Sequence, residues 1–258
     1  MEEKIIKFAD DLFKAQVNGI PIQPLTQTDP SLSVADAYAI QLENVKRQLS
    51  LGQVISGKKI GLTSEGIQKQ LGVNEPDYGH LFKSMEYSVE VPFDRLLQPK
   101  IEAEVAFILK EDLQGGKVAP EDVLRATDYV VCAFEIVDSR VEDWKIKLPD
   151  TIADNASSGC YVLGKKKVFL DQVDLSAVKM ELYKNGEELV GKGTGAAVLG
   201  NPIYSVAWLA NCLWNYGVAL KKGEVILSGA FSAAPKAKRG DVFEAHFSTL
   251  GSVKASFI

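Results

Sequence analysis

The order of apolar and polar positions divides the chain into a helical start and a strand-rich remainder. Over 3–15, Ile5, Phe8, Ala9, Leu12 and Phe13 recur at helical spacing, and Gly19 and Pro21 set the stop. A second helix opens at Ser33-Val34-Ala35-Asp36, a short relative of the capping box, and carries Val34, Tyr38, Leu42, Val45 and Leu49 as one stripe up to Gly52. A β-like stretch follows over 54–62, then a short helix over 64–71 ended by Gly72, and the acid-bearing 75–80 region reads as a turn. Beyond it strands dominate: 180–183 and 187–190 flank an Asn185-Gly186 hairpin turn, and 224–228, 242–247 and 252–257 are further strands. Asn201-Pro202 supplies the cap and first residue of a helix that ends at Gly217. The pattern predicts an α+β fold, with an N-terminal helical region, 1–75, packed on a β-rich domain, 76–258.

One segment organises the rest. Pro99-Lys100-Ile101-Glu102-Ala103-Glu104-Val105-Ala106-Phe107-Ile108-Leu109 reads as a strand. Its period of two puts Glu102 and Glu104 on one face and Ile101, Ala103, Val105, Phe107 and Leu109 on the other. A solvated edge would explain a lone Glu-x-Glu, but Ala106 and Ile108 continue the acidic face as an apolar surface. A third acid, Glu135, interrupts the buried-strand pattern of 129–137, where an isolated ionised group is costly unless paired, protonated or on a metal. Three carboxylates without a well-placed histidine describe an oxygen-ligand site for magnesium or manganese. His246 reads as structural, and His80 stands in the turn beside Asp77.

Two glycine-rich stretches invite nucleotide readings and fail them. Gly52 to Lys58 has the P-loop spacing, but Lys59 replaces the metal-binding hydroxyl and a helix precedes the stretch. Val198 stands where the dinucleotide fingerprint needs its third glycine. From pattern alone, Lys59 reads as a solvated strand lysine. The connection 138–159 has few apolar residues and is long for a segment without a task.

Composition narrows the function classes. A formal charge of -5 argues against nucleic acid, which needs a clustered basic surface. The three cysteines, Cys132, Cys160 and Cys212, lie far apart with no Cys-x-x-Cys pair, as expected of reduced packing residues in a cytoplasmic protein. The first residues lack a cationic segment followed by an apolar core, and no uninterrupted apolar run approaches spanning length, so neither export nor a membrane is expected.

Lys59-Ile60-Gly61-Leu62-Thr63, Pro76-Asp77-Tyr78-Gly79, Pro99 to Glu104, Glu135-Ile136-Val137-Asp138-Ser139-Arg140, Asp154-Asn155-Ala156-Ser157-Ser158 and Leu227-Ser228-Gly229-Ala230 occur in one order. In this the chain resembles the 2-keto-4-pentenoate hydratase and 4-oxalocrotonate decarboxylase group of the fumarylacetoacetate hydrolase superfamily, over nearly its whole length. The resemblance implies a rolled, mixed β-sheet and a divalent metal, Mg2+ or Mn2+, on Glu102, Glu104 and Glu135. It implies Lys59 and Asp77 as an acid/base pair and Ser157 as a substrate-orienting hydroxyl, in a homo-oligomer. The implied reaction is hydration of 2-hydroxypenta-2,4-dienoate to 4-hydroxy-2-oxopentanoate in aromatic meta-cleavage catabolism. Decarboxylation of 2-oxo-3-hexenedioate and a non-catalytic, metal-stabilised partner subunit stay open, as does association with the pathway decarboxylase. The segments 141–146 and 223–231 look more like the hydratases. An apolar distal wall of Trp144, Leu148 and Phe231 is the expected source of selectivity for a monocarboxylate.

Overall fold

Glu102 and Glu104 lie on the central strand of a seven-stranded mixed sheet in the computed structural model, which describes residues 2–258. Helices come first: α1 (Glu2–Asn18), the single turn α2 (Leu25–Thr28) and α3 (Val34–Ser50). Ser33 Oγ accepts from the Asp36 N–H and the Asp36 carboxylate accepts from the Ser33 N–H, so the capping box does start α3. The predicted apolar stripe is rotated, however: Ala37, Ile40, Gln41 and Val45 are buried beside Tyr38, while Val34 and Leu49 are exposed. The reason is polar. Gln41 faces inward because its amide donates to the Tyr78 and Ile152 carbonyls and its oxygen meets His80 Nδ1 at 3.1 Å.

The strands and later helices follow as β1 (Ile55–Gly61), α4 (Glu65–Leu71), β2 (Asp77–Phe82), β3 (Glu86–Tyr87), β4 (Glu90–Val91), β5 (Lys100–Leu109), α5 (Pro120–Ala126) and β6 (Thr127–Val137). After them come α6 (Leu148–Ala153), β7 (Ser158–Leu163), β8 (Lys179–Lys184), β9 (Glu188–Thr194), α7 (Pro202–Trp214), β10 (Val225–Ala230), β11 (Val242–Phe247) and β12 (Gly251–Phe257). The region expected to turn at 75–80 is strand from Asp77 onward: β2 pairs antiparallel with β1 and every residue in it is buried. Its Pro, Asp and Gly give it the composition of a turn, but a buried backbone must pair its polar groups, and β1 offers the partners. Because β1 belongs to the sheet, the described part of 1–75 that stands outside it consists of the helices up to Ser50, α4 and their connections.

The larger sheet runs β2-β1-β10-β5-β6-β7-β3 and the smaller β4-β12-β11-β8-β9. The larger one rolls until its distant strands meet: Ser56 at the start of β1 shares a 3.0 Å hydrogen bond with the Tyr161 hydroxyl on β7. The roll gives β5 and β6 two different faces. Ile101, Val105, Phe107, Phe134 and Ile136 point outward into the main core with the helices and the smaller sheet. Ala106, Val131, Ala133, Tyr161, Leu81 and Leu227 fill the inside as a separate cluster. Phe107 and Phe134 are completely buried, and removing each ring from water contributes about 1.5–3 kcal/mol. The acids therefore cap the interior of the roll, on the face that the alternation assigned to them.

The stretch Gly195–Trp214 is apolar enough for a membrane span by length and composition. The α-helix covers only 13 residues of it, about 20 Å against a hydrocarbon core of about 30 Å. Asn201 caps α7, which buries Val206, Leu209, Ala210 and Leu213 in the main core.

Candidate active site

One oxygen each from Glu102, Glu104 and Glu135 lies within 4.8 Å of the others. Adjacent strands bring them together, for β5 and β6 pair antiparallel with Glu102 directly opposite Glu135. Burial raises all three carboxyls, and in Glu104 the nearby Glu135 and Glu102 charges add to the effect. Glu135 is pushed up to about 8 by burial, against the pull of Lys59. Glu104 Oε1 and Glu135 Oε2 are buried without a hydrogen-bond partner, and Glu135 Oε1 meets only the Lys59 ammonium. Three all-oxygen donors with orphaned lone pairs fit a hard divalent cation, which would remove their mutual repulsion. The backbone helps to place them: the Gly229 N–H donates to Glu104 Oε2 at 2.8 Å. Gly229 has φ +119°, and a Cβ there would stand 2.2 Å from Thr63 Oγ1, so only glycine can aim that N–H.

Lys59 is not solvated. It is 3 % exposed, 3.1 Å from Glu135 Oε1, and donates to the Ala156 carbonyl at 2.9 Å. Burial pulls its ammonium down, but the charges of Glu135, Asp77, Glu102 and Glu104 outweigh this and the net shift is upward. The pattern of β1 could not reveal this environment, because the covering residues come from β6 and from a turn about a hundred positions later. Asp77 is 1 % exposed, and burial raises its carboxyl against the pull of Lys59. It sits over β1 because Gly61 leaves room: a Cβ on Gly61 would lie 2.3 Å from Asp77 Oδ1.

Ser157 completes the group through a strained turn. Asn155, Ala156 and Ser157 form a 3-10 turn with φ of 56°, 50° and 51°, left-handed values that non-glycine residues rarely adopt. Thr151 Oγ1 stands 3.4 Å from both Asp77 Oδ2 and Ser157 Oγ and bridges the two. Beneath the turn, Arg140 Nε donates to Asp154 Oδ1, the Arg140 N–H donates to Asp154 Oδ2 at 3.0 Å, and the guanidinium also donates to the Asp154 and Ser158 carbonyls. Thr151 and the Arg140–Asp154 clamp have no role in the sequence reading. Two opposite charges in an otherwise polar connection were the available signal.

A cavity of about 790 Å3 opens onto this group. Lys59, Asp77, Glu102 and Ser157 line it, as do Trp144 and Phe231 from the expected distal wall. Leu148 does not. It begins α6 and packs on the main core, and Ile146 lines the cavity in its place. Lys100 also lines it, a cation that the expected apolar wall did not contain. A second cleft of about 330 Å3 lies across the 154–158 turn, between α1 and α3, away from the carboxylates. His80 is buried on the opposite face of β2 from Asp77 and bonds to Gln41; burial and Lys58 push it down to about 3. His246 lies on the outer face of the smaller sheet beside Glu244. The three cysteines are free thiols.

The pattern of the family described as Fumarylacetoacetate (FAA) hydrolase C-terminal matches residues 59–258. The chain belongs to the fumarylacetoacetate hydrolase family. Within and around that family, it is 49% identical over 251 residues to a 2-keto-4-pentenoate hydratase of Paraburkholderia xenovorans (strain LB400), covering 96% of this chain and 93% of the relative. It is 47% identical over 223 residues to a 2-hydroxypent-2,4-dienoate hydratase of Pseudomonas putida, covering 85% of this chain and 100% of that one. Among solved structures, the 4-oxalocrotonate decarboxylase from Pseudomonas putida G7, complexed with magnesium and adipate, superposes with a TM-score of 0.96 at 38% identity, over 100% of this chain and 98% of that one. A family member from Yersinia pestis CO92, at 16% identity and a TM-score of 0.60, shares the fold over 80% of this chain.

Proposed function

We propose that the chain is a metal-dependent hydro-lyase that converts 2-hydroxypenta-2,4-dienoate to 4-hydroxy-2-oxopentanoate. One observation carries the reading: the half-buried Glu102 and the buried Glu104 and Glu135 converge beside a buried Lys59–Asp77 pair, and Glu102, Lys59 and Asp77 line a cavity large enough for a small organic acid. The hydratase relatives, similar over nearly the whole chain, support it. On this reading Glu102, Glu104 and Glu135 hold magnesium or manganese, which supplies Lewis-acid stabilisation of charge on the substrate 2-oxygen.

The protein's own groups then move protons. Ketonisation takes a proton from the 2-hydroxyl and places one on C5, which makes C4 electrophilic; water adds at C4 and C3 takes the last proton. Lys59, held as an ammonium by the Ala156 carbonyl, is the donor, and Asp77, which the adjacent Lys59 charge favours as a carboxylate against the effect of burial, is the acceptor for that exchange. Ser157 Oγ orients the substrate, with Thr151 fixing its position relative to Asp77. Leu62, Ile67 and Phe231 give the hydrocarbon end an apolar wall. The reading includes a cytoplasmic homo-oligomer, with association with a decarboxylase of the same pathway open; sedimentation of the purified protein, alone and mixed with that decarboxylase, measures both.

The second reading, decarboxylation of 2-oxo-3-hexenedioate, draws on Lys100 in the cavity and on the close superposition with a decarboxylase. Purified protein offered each substrate with magnesium, and again with chelator, decides between them. The hydratase reading expects rapid loss of dienoate absorbance that chelator abolishes, with little carbon dioxide from the dicarboxylate. Carbon dioxide release faster than hydration reverses the assignment.

A further inference from the structure

Lys100 is a cation without a partner among the described residues. Its ammonium makes no hydrogen bond and no ion pair there and lies over the Trp144 ring, whose centroid is 3.9 Å from Nζ, with the Glu102 charge acting on it. That ring is itself fixed. Trp144 Nε1 donates to the Gln98 carbonyl at 2.9 Å, and the Asp143 N–H donates to Gln98 Oε1 at 2.8 Å. Asp143 and Trp144 take φ of 55° and 57°, a left-handed backbone that two non-glycine residues adopt only when their surroundings enforce it. Strained backbone and an aromatic face thus hold one ammonium at the edge of the cavity, on the same face of β5 as Glu102 and Glu104.

Resting on the hydratase reading, we infer that Lys100, seated on Trp144, binds the substrate's C1 carboxylate. A charge count supports this. Glu102, Glu104 and Glu135 bring three negative charges, a divalent cation two positive ones and Lys59 one, so the group is balanced before substrate enters. A 2-oxo acid adds one negative charge, and Lys100 is the remaining cation on the cavity wall. Counting Asp77 as charged only deepens the deficit. Placement gives the same answer. Lys59 and Asp77 come from β1 and β2, and the apolar Leu62 and Ile67 follow directly after β1. The reacting carbons and hydrocarbon end belong beside them, which leaves the carboxylate to face the start of β5.

The test is calorimetric binding of 2-oxopentanoate, a saturated monocarboxylic analogue that cannot be hydrated, to magnesium-loaded protein. Lys100→Met should weaken binding roughly 10- to 100-fold, the worth of a charge-assisted hydrogen bond. Lys100→Arg should recover most of the loss, and Lys254→Met, at an exposed lysine on β12 of the smaller sheet, should change nothing. Magnesium affinity of Lys100→Met should not be weakened. No binding to the wild-type protein, or unchanged binding to Lys100→Met, overturns the inference. So does a loss confined to the dicarboxylate 2-oxoadipate, which would put Lys100 at the distal end. Wild-type protein that binds 2-oxopentanoate through Lys100 but hydrates no dienoate would sink the hydratase reading and leave this one standing.

Discussion

Replacing Asp154 by asparagine tests whether a buried charge pair holds the turn that presents Ser157. Arg140 and Asp154 are 5% and 2% exposed. Asparagine keeps the shape and removes the negative charge, leaving a guanidinium dry and unpaired, and loss of one member of such a pair costs about 3–5 kcal/mol. The pair itself is no net source of stability. Burial pushes Asp154 up to about 6 against the pull of Arg140. With a folded value above the ordinary 3.8, its contribution to stability falls as pH rises through the window from about 4 to about 6. Arg140→Met/Asp154→Leu should therefore lose less than Asp154→Asn alone, although both remove the ion pair. With a urea slope of about 3 kcal/mol per molar, the single variant's unfolding midpoint should drop by about 1–1.7 M at pH 7.5. Function should suffer separately. Each left-handed residue in the 155–157 turn stores about 1–3 kcal/mol, and without the clamp the turn relaxes, withdrawing the Ala156 carbonyl from Lys59 and shifting Ser157. The double variant should recover stability without recovering kcat. A midpoint shift below about 0.3 M for Asp154→Asn, with kcat unchanged, would refute the account.

What could be read from the sequence was local. The phase of Glu102 and Glu104 follows from a period of two and needs no tertiary knowledge. The Ser33 capping box and the Asn201 cap are likewise written in adjacent residues, and the Asn185-Gly186 turn joins β8 to β9 with φ of 50° and 97°. What failed depended on closure of the roll. Lys59 looks solvated until Glu135 and Ala156 cover it, and 75–80 looks like a turn until β1 pairs with it from Asp77 onward. The helix stripe on α3 missed Gln41 because a glutamine is buried there only for the carbonyls of Tyr78 and Ile152. Leu148 was assigned to the cavity on hydrophobicity alone, and α6 turns it into the core. The 138–159 connection held most of what periodicity could not describe: the clamp, Thr151 and two strained turns. Irregular backbone fixed by buried charge has no sequence period, so only its length and the opposite charges of Arg140 and Asp154 marked its importance.

Lys59→Met and Asp77→Asn should each lower kcat by roughly 10²–10⁴ while circular dichroism stays unchanged; wild-type turnover in either variant removes that residue from the proton path. Magnesium should raise the thermal midpoint of the wild-type protein and have little effect on Glu135→Gln, a readout independent of turnover; equal stabilisation of both would exclude Glu135 as a ligand. His80 gives a stability prediction of definite sign. Burial and Lys58 hold its folded value near 3, against an ordinary 6.5, so between those pH values the unfolded chain binds a proton that the native one refuses. Stability from the neutral imidazole is complete above about pH 6.5 and is lost as pH falls, at up to about 1.4 kcal/mol per pH unit. Urea midpoints at pH 7 and pH 5 should therefore separate more in wild-type protein than in His80→Gln, whose amide can still meet Gln41 but cannot titrate. An equal separation in both proteins would mean that His80 takes up its proton within the fold, and that Lys58 and burial do not exclude it.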